Sequence, residues 1–188
     1  MQDVRKTAVA SLFYPDDSIN LKRLINQYLS NVPAEDSNEF LKKNNIDHLT
    51  GIIVPHAGYI YSGSVAAYGY SLLKNKSFDT VILIGPSHFT HFEGFALSYY
   101  QSFATPMGEV DVDQDLTKKL VEAGSGVFDY VNSAHGKEHS LEVQLPFLKN
   151  LFGDKFKIVP ILMGQQTLKN VQEGAEILHQ VLKKEDKQ

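Results

Sequence analysis

Residues 81–88 read Val-Ile-Leu-Ile-Gly-Pro-Ser-His. Four consecutive branched apolar residues cannot alternate between core and water, so a strand made of them needs cover on both faces. The Gly-Pro pair then stops the run and presents a histidine where the chain leaves the sheet. A second stretch repeats the design: residues 52–59, Ile-Ile-Val-Pro-His-Ala-Gly-Tyr, run from an apolar segment through a proline to a histidine. Strands of this kind restrict the fold to a sheet layered between helices.

The remaining pattern supports that class. Helices are predicted over 19–29, with Asp17 or Ser18 as N-cap, and over 62–74, 114–123, 139–151 and 168–183. Pro33 ends the first helix, and 36–45 reads as a short polar helix or loop. Pro146 should kink or restart the helix over 139–151. Strands are predicted over 51–54, 79–84, 95–98 and 157–163. A further pair over 102–104 and 109–112 is joined by the turn residues Thr105-Pro106-Met107-Gly108. The expectation is one α/β domain over residues 1–188, a layered mixed sheet flanked by helices, with ligands gathered outside the strands' carboxyl ends.

Composition removes several function classes. The chain carries a net charge of −4 and no basic cluster, which argues against nucleic acid as a partner. No run approaches the length of a membrane span and the N-terminus lacks a signal-peptide core, so a cytoplasmic protein is expected. With no cysteine in the sequence, any metal must be held by nitrogen and oxygen.

Seven histidines then have to be sorted. His48 and His179 have no supporting context and read as solvated. His56 and His88 each follow a predicted strand, so both could reach one rim. Two neutral imidazoles meeting there suit a divalent metal, each offering one nitrogen while an acceptor holds the other. His91 lies three residues past His88 in an aromatic loop and could face a substrate. On a helix, His139 and Glu142 share a face and form either a proton-transfer unit or an ordinary helix-start signature. Tyr59, Tyr61 and Ser62 either line a pocket or pack over the sheet.

Four segments in order, IIVPHAGYIYSG, LIGPSHFTHFEGFALS, YQSFATPMGEVDVDQDL and HSLEVQLPFL with FKIVPILMG, resemble the Memo family. That family includes the bacterial and archaeal AmmeMemoRadiSam system protein B and a eukaryotic mediator of cell motility. The likeness covers about residues 50–182, with a weaker match to the first helix. It implies the fold of class III extradiol dioxygenases (LigB-like), and a pocket that binds a divalent metal, iron first, with copper or zinc as alternatives. By motif, His56 and His88 match metal ligands and His139 matches a pocket histidine. His139 and Glu142 are the expected catalytic pair, and Tyr59, Ser87 and His91 the expected substrate pocket.

The resemblance also implies segments that are not in this sequence: an SSD-x-x-H-like stretch and a cysteine-containing stretch that supplies a third ligand. The insert at residues 34–48 is longer than the family leads one to expect. The expectation is a form truncated at the C-terminus, whose third ligand comes from His139, Glu142 or a partner chain. Its bare sheet edge invites self-association into a homo-oligomer. The expected function is a metal-dependent, oxygen-using oxidoreductase acting on a small molecule. The alternatives are a non-catalytic peptide-binding scaffold and a metal-dependent hydrolase.

Overall fold

The computed structural model describes residues 4–46 and 48–185. Its centre is β7 (Lys157–Met163), which pairs in parallel with β2 (Thr80–Pro86) along all seven residues, from Thr80 opposite Lys157 to Pro86 opposite Met163. On its other side β7 runs antiparallel to β3 (Phe95–Leu97), which pairs in parallel with β6 (Phe128–Tyr130). The order of this sheet is β2-β7-β3-β6.

Side-chain alternation along β7 builds two cores. Ile158 and Leu162 belong to one cluster, with Leu21 and Ile25 of α1 (Ser18–Ser30), Ala66, Ala67 and Tyr70 of α3 (Tyr59–Ser71), and Phe147 and Leu148 of α6 (Leu145–Phe152). Val159 and Ile161 face the opposite cluster, with Leu116 and Leu120 of α4 (Gln114–Ala123) and Val181 of α7 (Leu168–Glu185). Successive strand residues point to opposite faces, so an unbroken apolar strand gives a three-layer α/β fold. The layered mixed sheet expected from the sequence is the observed architecture.

A second sheet, ordered β1-β4-β5, joins β1 (Val4–Arg5) in parallel to β4 (Ser102–Thr105), which turns at Pro106-Met107 into β5 (Gly108–Asp111). This is the hairpin that the turn residues predicted. Gly108 closes it at φ +108°, a conformation that strongly favours glycine.

Several elements differ from the sequence reading. The run 51–54 is extended but has no ladder partner among the described residues. Ile52 and Val54 pack on the core while Ile53 is fully exposed, so the period-2 pattern is present without a neighbour to complete a strand. Only Leu83 of β2 is buried, because β2 lies at the edge of the described sheet. The helix α3 starts three residues early, at Tyr59, with Gly58 as its N-cap. The helix expected over 139–151 is instead a 3-10 turn at Glu142–Gln144 followed by α6, with Pro146 in its first turn, where a proline's missing N–H costs nothing. Pairing with β3 makes Phe128–Tyr130 a strand, where no element is predicted between the helices over 114–123 and 139–151, and α5 (Asn132–His135) follows it. The stretch 36–45, read as a short helix or loop, falls mostly within α2 (Ala34–Lys43). Among the described residues no helix is long and apolar enough to cross a membrane.

Candidate metal centre

Three segments meet at one end of the sheet. Residues 51–55 deliver His56, β2 delivers His88, and the loop between α5 and the 3-10 turn delivers Glu138 and His139. Gly85 makes their approach tight: a Cβ there would lie 2.8 Å from both Leu141 Cδ2 and Ser140 Oγ. The loop is pinned to the strand end by Ser140 Oγ, which donates to Pro86 O at 2.8 Å.

The rings of His88 and His139 stack with centroids 4.6 Å apart at 22°, and His56 closes the group at 5.3 Å from His88 and 6.0 Å from His139. Under two of them sits Glu138, only 3% exposed. Its Oε2 accepts the His88 backbone N–H at 2.5 Å. Its Oε1 accepts those of His139 and Ser140, both at 2.8 Å, and faces His88 Nδ1 at 2.9 Å. His139 Nδ1 is 3.4 Å from the same oxygen. Burial alone would raise the Glu138 pKa, but the bonds accepted from His88, Ser140 and His139 outweigh it and hold the carboxyl at about 2.

Two of the imidazoles, His56 and His139, are poised as neutral donors. Burial lowers the pKa of His56 below 6.5, helped by the nearby His88 ring and opposed by Glu138. Burial likewise lowers His139, with Glu138 opposing and the other two imidazoles assisting. His88, Glu138 and His139 each present a ligand atom within 4.8 Å of the others, so a His/Glu cluster able to take a metal is in place. Beside it opens a cavity of about 540 Å³ lined by Leu12, Phe13, Pro55, Ala57, Gly58 and Tyr61 together with His56 and His139. Phe13 meets the His139 ring edge-on at 4.9 Å.

The other expected site residues lie elsewhere. Glu142 is 1% exposed, and its carboxylate accepts from the Arg5 guanidinium, from the backbone N–H groups of Ala8 (2.8 Å) and Val9 (3.1 Å), and from Tyr14 OH (2.5 Å). The expected face-sharing with His139 fails because no helix spans the two residues. Tyr59 is core rather than pocket: its hydroxyl donates to Val143 O at 2.7 Å and its ring packs against Phe147. Ser87 Oγ donates to Thr90 O at 2.8 Å, which shapes the turn after β2, and His91 is exposed. Tyr61, one of the two readings left open, does line the cavity.

Two residues matter here without having stood out in the sequence. Glu138 reads as an ordinary helix-start acid, and its position directly before His139 is the one available signal. Arg5 gave none. Its Nε donates to His135 O at 3.0 Å and its Nη2 to Glu138 O, so it frames the loop that carries the site.

Comparison with known proteins supplies the family. The family model for "Memo-like protein" matches residues 5–188. A MEMO1 family protein of Nitrosopumilus maritimus is 34% identical over 180 residues, covering 96% of this chain and 64% of that protein. One from Ignicoccus hospitalis is 43% identical over 169 residues, covering 87% of this chain and 58% of the relative. One from Saccharolobus solfataricus is 40% identical over 184 residues, covering 96% and 64%. The chain thus spans between 58% and 64% of the length of these relatives. With a match that runs through all three segments carrying the histidines, the chain belongs to the Memo-like protein family.

Proposed function

We propose that His56, His88 and His139 together hold a divalent transition metal, iron first and copper or zinc as alternatives, in a Memo-type oxidoreductase acting on a small organic ligand. The observation that carries this reading is the convergence of the three rings. An ion about 2.1 Å from a ring nitrogen sits about 3.2 Å from the ring centre, so rings sharing one ion at 90–110° have centres about 4.5–5.2 Å apart. The separations of 4.6, 5.3 and 6.0 Å are close to that range, the last needing a small inward turn of His56. Neutral nitrogen donors without a thiolate suit iron, copper or zinc.

When bound, such a metal would supply Lewis acidity and, for iron or copper, redox chemistry with dioxygen. The protein's own contribution is to seat the ligand. Leu12, Phe13 and Tyr61 give apolar walls, and among the described residues no Asp, Glu, Lys or Arg lines the cavity. A neutral, flat molecule fits such walls better than a phosphate or other anion. His139 borders both the cavity and Glu138; with its Nδ1 turned to the carboxylate and its other nitrogen given to the metal, its part is to set the metal beside the bound ligand.

A second reading, a peptide-binding scaffold without catalysis, draws support from the exposed apolar side chains beside the rim: Leu12, Ile53, Tyr61 and Phe89. Anaerobic Fe(II) titration with metal analysis separates the two. Stoichiometric binding that His56→Ala/His88→Ala abolishes supports the metal reading. Unchanged binding in that double variant, or peptide capture that survives EDTA with no metal uptake, refutes it. Turnover that needs Zn(II) but not dioxygen would mark a hydrolase instead.

A further inference from the structure

The carboxylate under the rings has a more specific task than adding charge. Both oxygens of Glu138 are already engaged: Oε2 by the His88 N–H, and Oε1 by the N–H groups of His139 and Ser140 and by His88 Nδ1. Oε1, with three donors already on it, has no lone pair left for a metal, and drawing Oε2 toward an ion would weaken its bond to the His88 N–H, a penalty of about 1–3 kcal/mol if that bond is lost. An ionised carboxylate can only accept, so a ring nitrogen that bonds to it must carry the proton. His88 Nδ1 meets this condition at 2.9 Å; His139 Nδ1 lies 3.4 Å from the same Oε1, an ion-pair distance that a small turn of the ring would close to a hydrogen bond.

We propose that Glu138 is a positioning residue rather than a ligand: one carboxylate oxygen holds two imidazoles in the Nδ1–H tautomer and leaves both Nε2 lone pairs bare on the side away from it. The metal reading is needed only for the consequence, namely that the ion is met by Nε2 of His88 and His139 and that its charge is balanced from beneath. The backbone bonds to His88, His139 and Ser140 tie the strand end and the loop to the same oxygens. Ring orientation and loop position are therefore set by one group. Fixing a tautomer through the non-ligating nitrogen is how orienting carboxylates raise the basicity of a histidine ligand.

The test is long-range 1H–15N correlation of the metal-free, full chain at pH 8, which reads the tautomer of each histidine without any metal. The expected result is the Nδ1–H form for His88 and His139 in the wild type. Glu138→Gln turns an acceptor into a donor beside other donors, and it should move both rings toward Nε2–H or an exchange average. It should also weaken Zn(II) binding 10- to 100-fold. Glu138→Asp, which keeps the charge, should restore part of both signals, and it stands in should the glutamine variant not fold. An Nε2–H signal for either ring in the wild type, or equal Zn(II) affinity in Glu138→Gln, overturns the proposal. Wild-type protein that shows the expected tautomers and takes up no metal leaves the positioning role standing and overturns the metal reading alone.

Discussion

Arg5 and Glu142, 137 positions apart, form an ion pair in which both side chains are almost wholly buried, at 2% and 0% exposure. The pair ties β1 to the start of the 3-10 turn, and Tyr14 and two backbone N–H groups share the carboxylate. Breaking such a pair leaves an uncompensated charge in the interior, at a cost of about 3–5 kcal/mol. Glu142→Gln and Arg5→Met should each lower the urea midpoint accordingly, with the slope unchanged. Tyr14→Phe removes one donor and should cost about 1–2 kcal/mol. A Glu142→Gln protein as stable as wild type would show that the carboxylate is not the hub described.

His135 gives the fold a distinct acid sensitivity. It is 1% exposed, its Nε2 lies 3.1 Å from Ala96 O, and burial pushes its pKa down to about 4, with the Arg5 charge adding to the effect. The unfolded chain binds this proton near pH 6.5 and the folded chain only near 4, so stability is full above 6.5 and declines as the pH falls toward 4. At about 1.4 kcal/mol per unit, the loss across that window is on the order of 3 kcal/mol. Urea unfolding between pH 7 and 4 should show this slope, and His135→Gln should flatten it. The same slope in the variant would assign the effect to another group.

Much of this arrangement is legible in the sequence, and the parts that are not share a physical cause. The strands read at 79–84 and 157–163 are β2 and β7, but the cover on both faces read from the run at 81–84 is found at β7 and not at the edge strand β2; Pro55 and Gly85-Pro86 mark where the histidines leave their segments. The spacing of His139 and Glu142, however, carries meaning only if a helix spans them. In the structure the chain enters a 3-10 turn, and the two side chains go to different partners. Glu138 and Arg5 were not legible because their roles depend on contacts across 50 and 137 positions, which local patterning does not encode.

Metal affinity should resist mild acid. Protons compete with a metal for imidazole, and His56 and His139 both titrate below 6.5 because burial disfavours their charged forms. Zn(II) affinity should therefore stay flat from pH 8 to about 6.5 and decline below it. Isothermal titration across this range checks the point, and an affinity already falling between pH 8 and 7 would contradict it.

The edge of β2 presents another measurable property. Ile84 is half exposed and Ile53 fully exposed, no charged residue lies in Thr80–Pro86, and bare apolar edges pair readily. Light scattering should show association that rises with concentration and falls in Ile84→Lys. A monomer at all concentrations would mean that the edge is protected.

Gly85 provides the sharpest link between packing and site. Most glycine-to-alanine changes in a strand stabilise, because alanine loses less chain entropy on folding. Here the added methyl would press on Leu141 Cδ2 and on Ser140 Oγ, the group bonded to Pro86 O. The loop must then lift from the strand end, carrying Glu138 and His139 away from His88. Gly85→Ala should therefore weaken Zn(II) binding by at least 10-fold while costing about 1–3 kcal/mol of stability, typical of overpacking. Gly136→Ala, in the same loop, meets only Ser133 O at 3.9 Å and serves as the control, with affinity unchanged. If Gly85→Ala binds metal as the wild type does, the close seating of the loop on β2 is not what aligns the imidazoles.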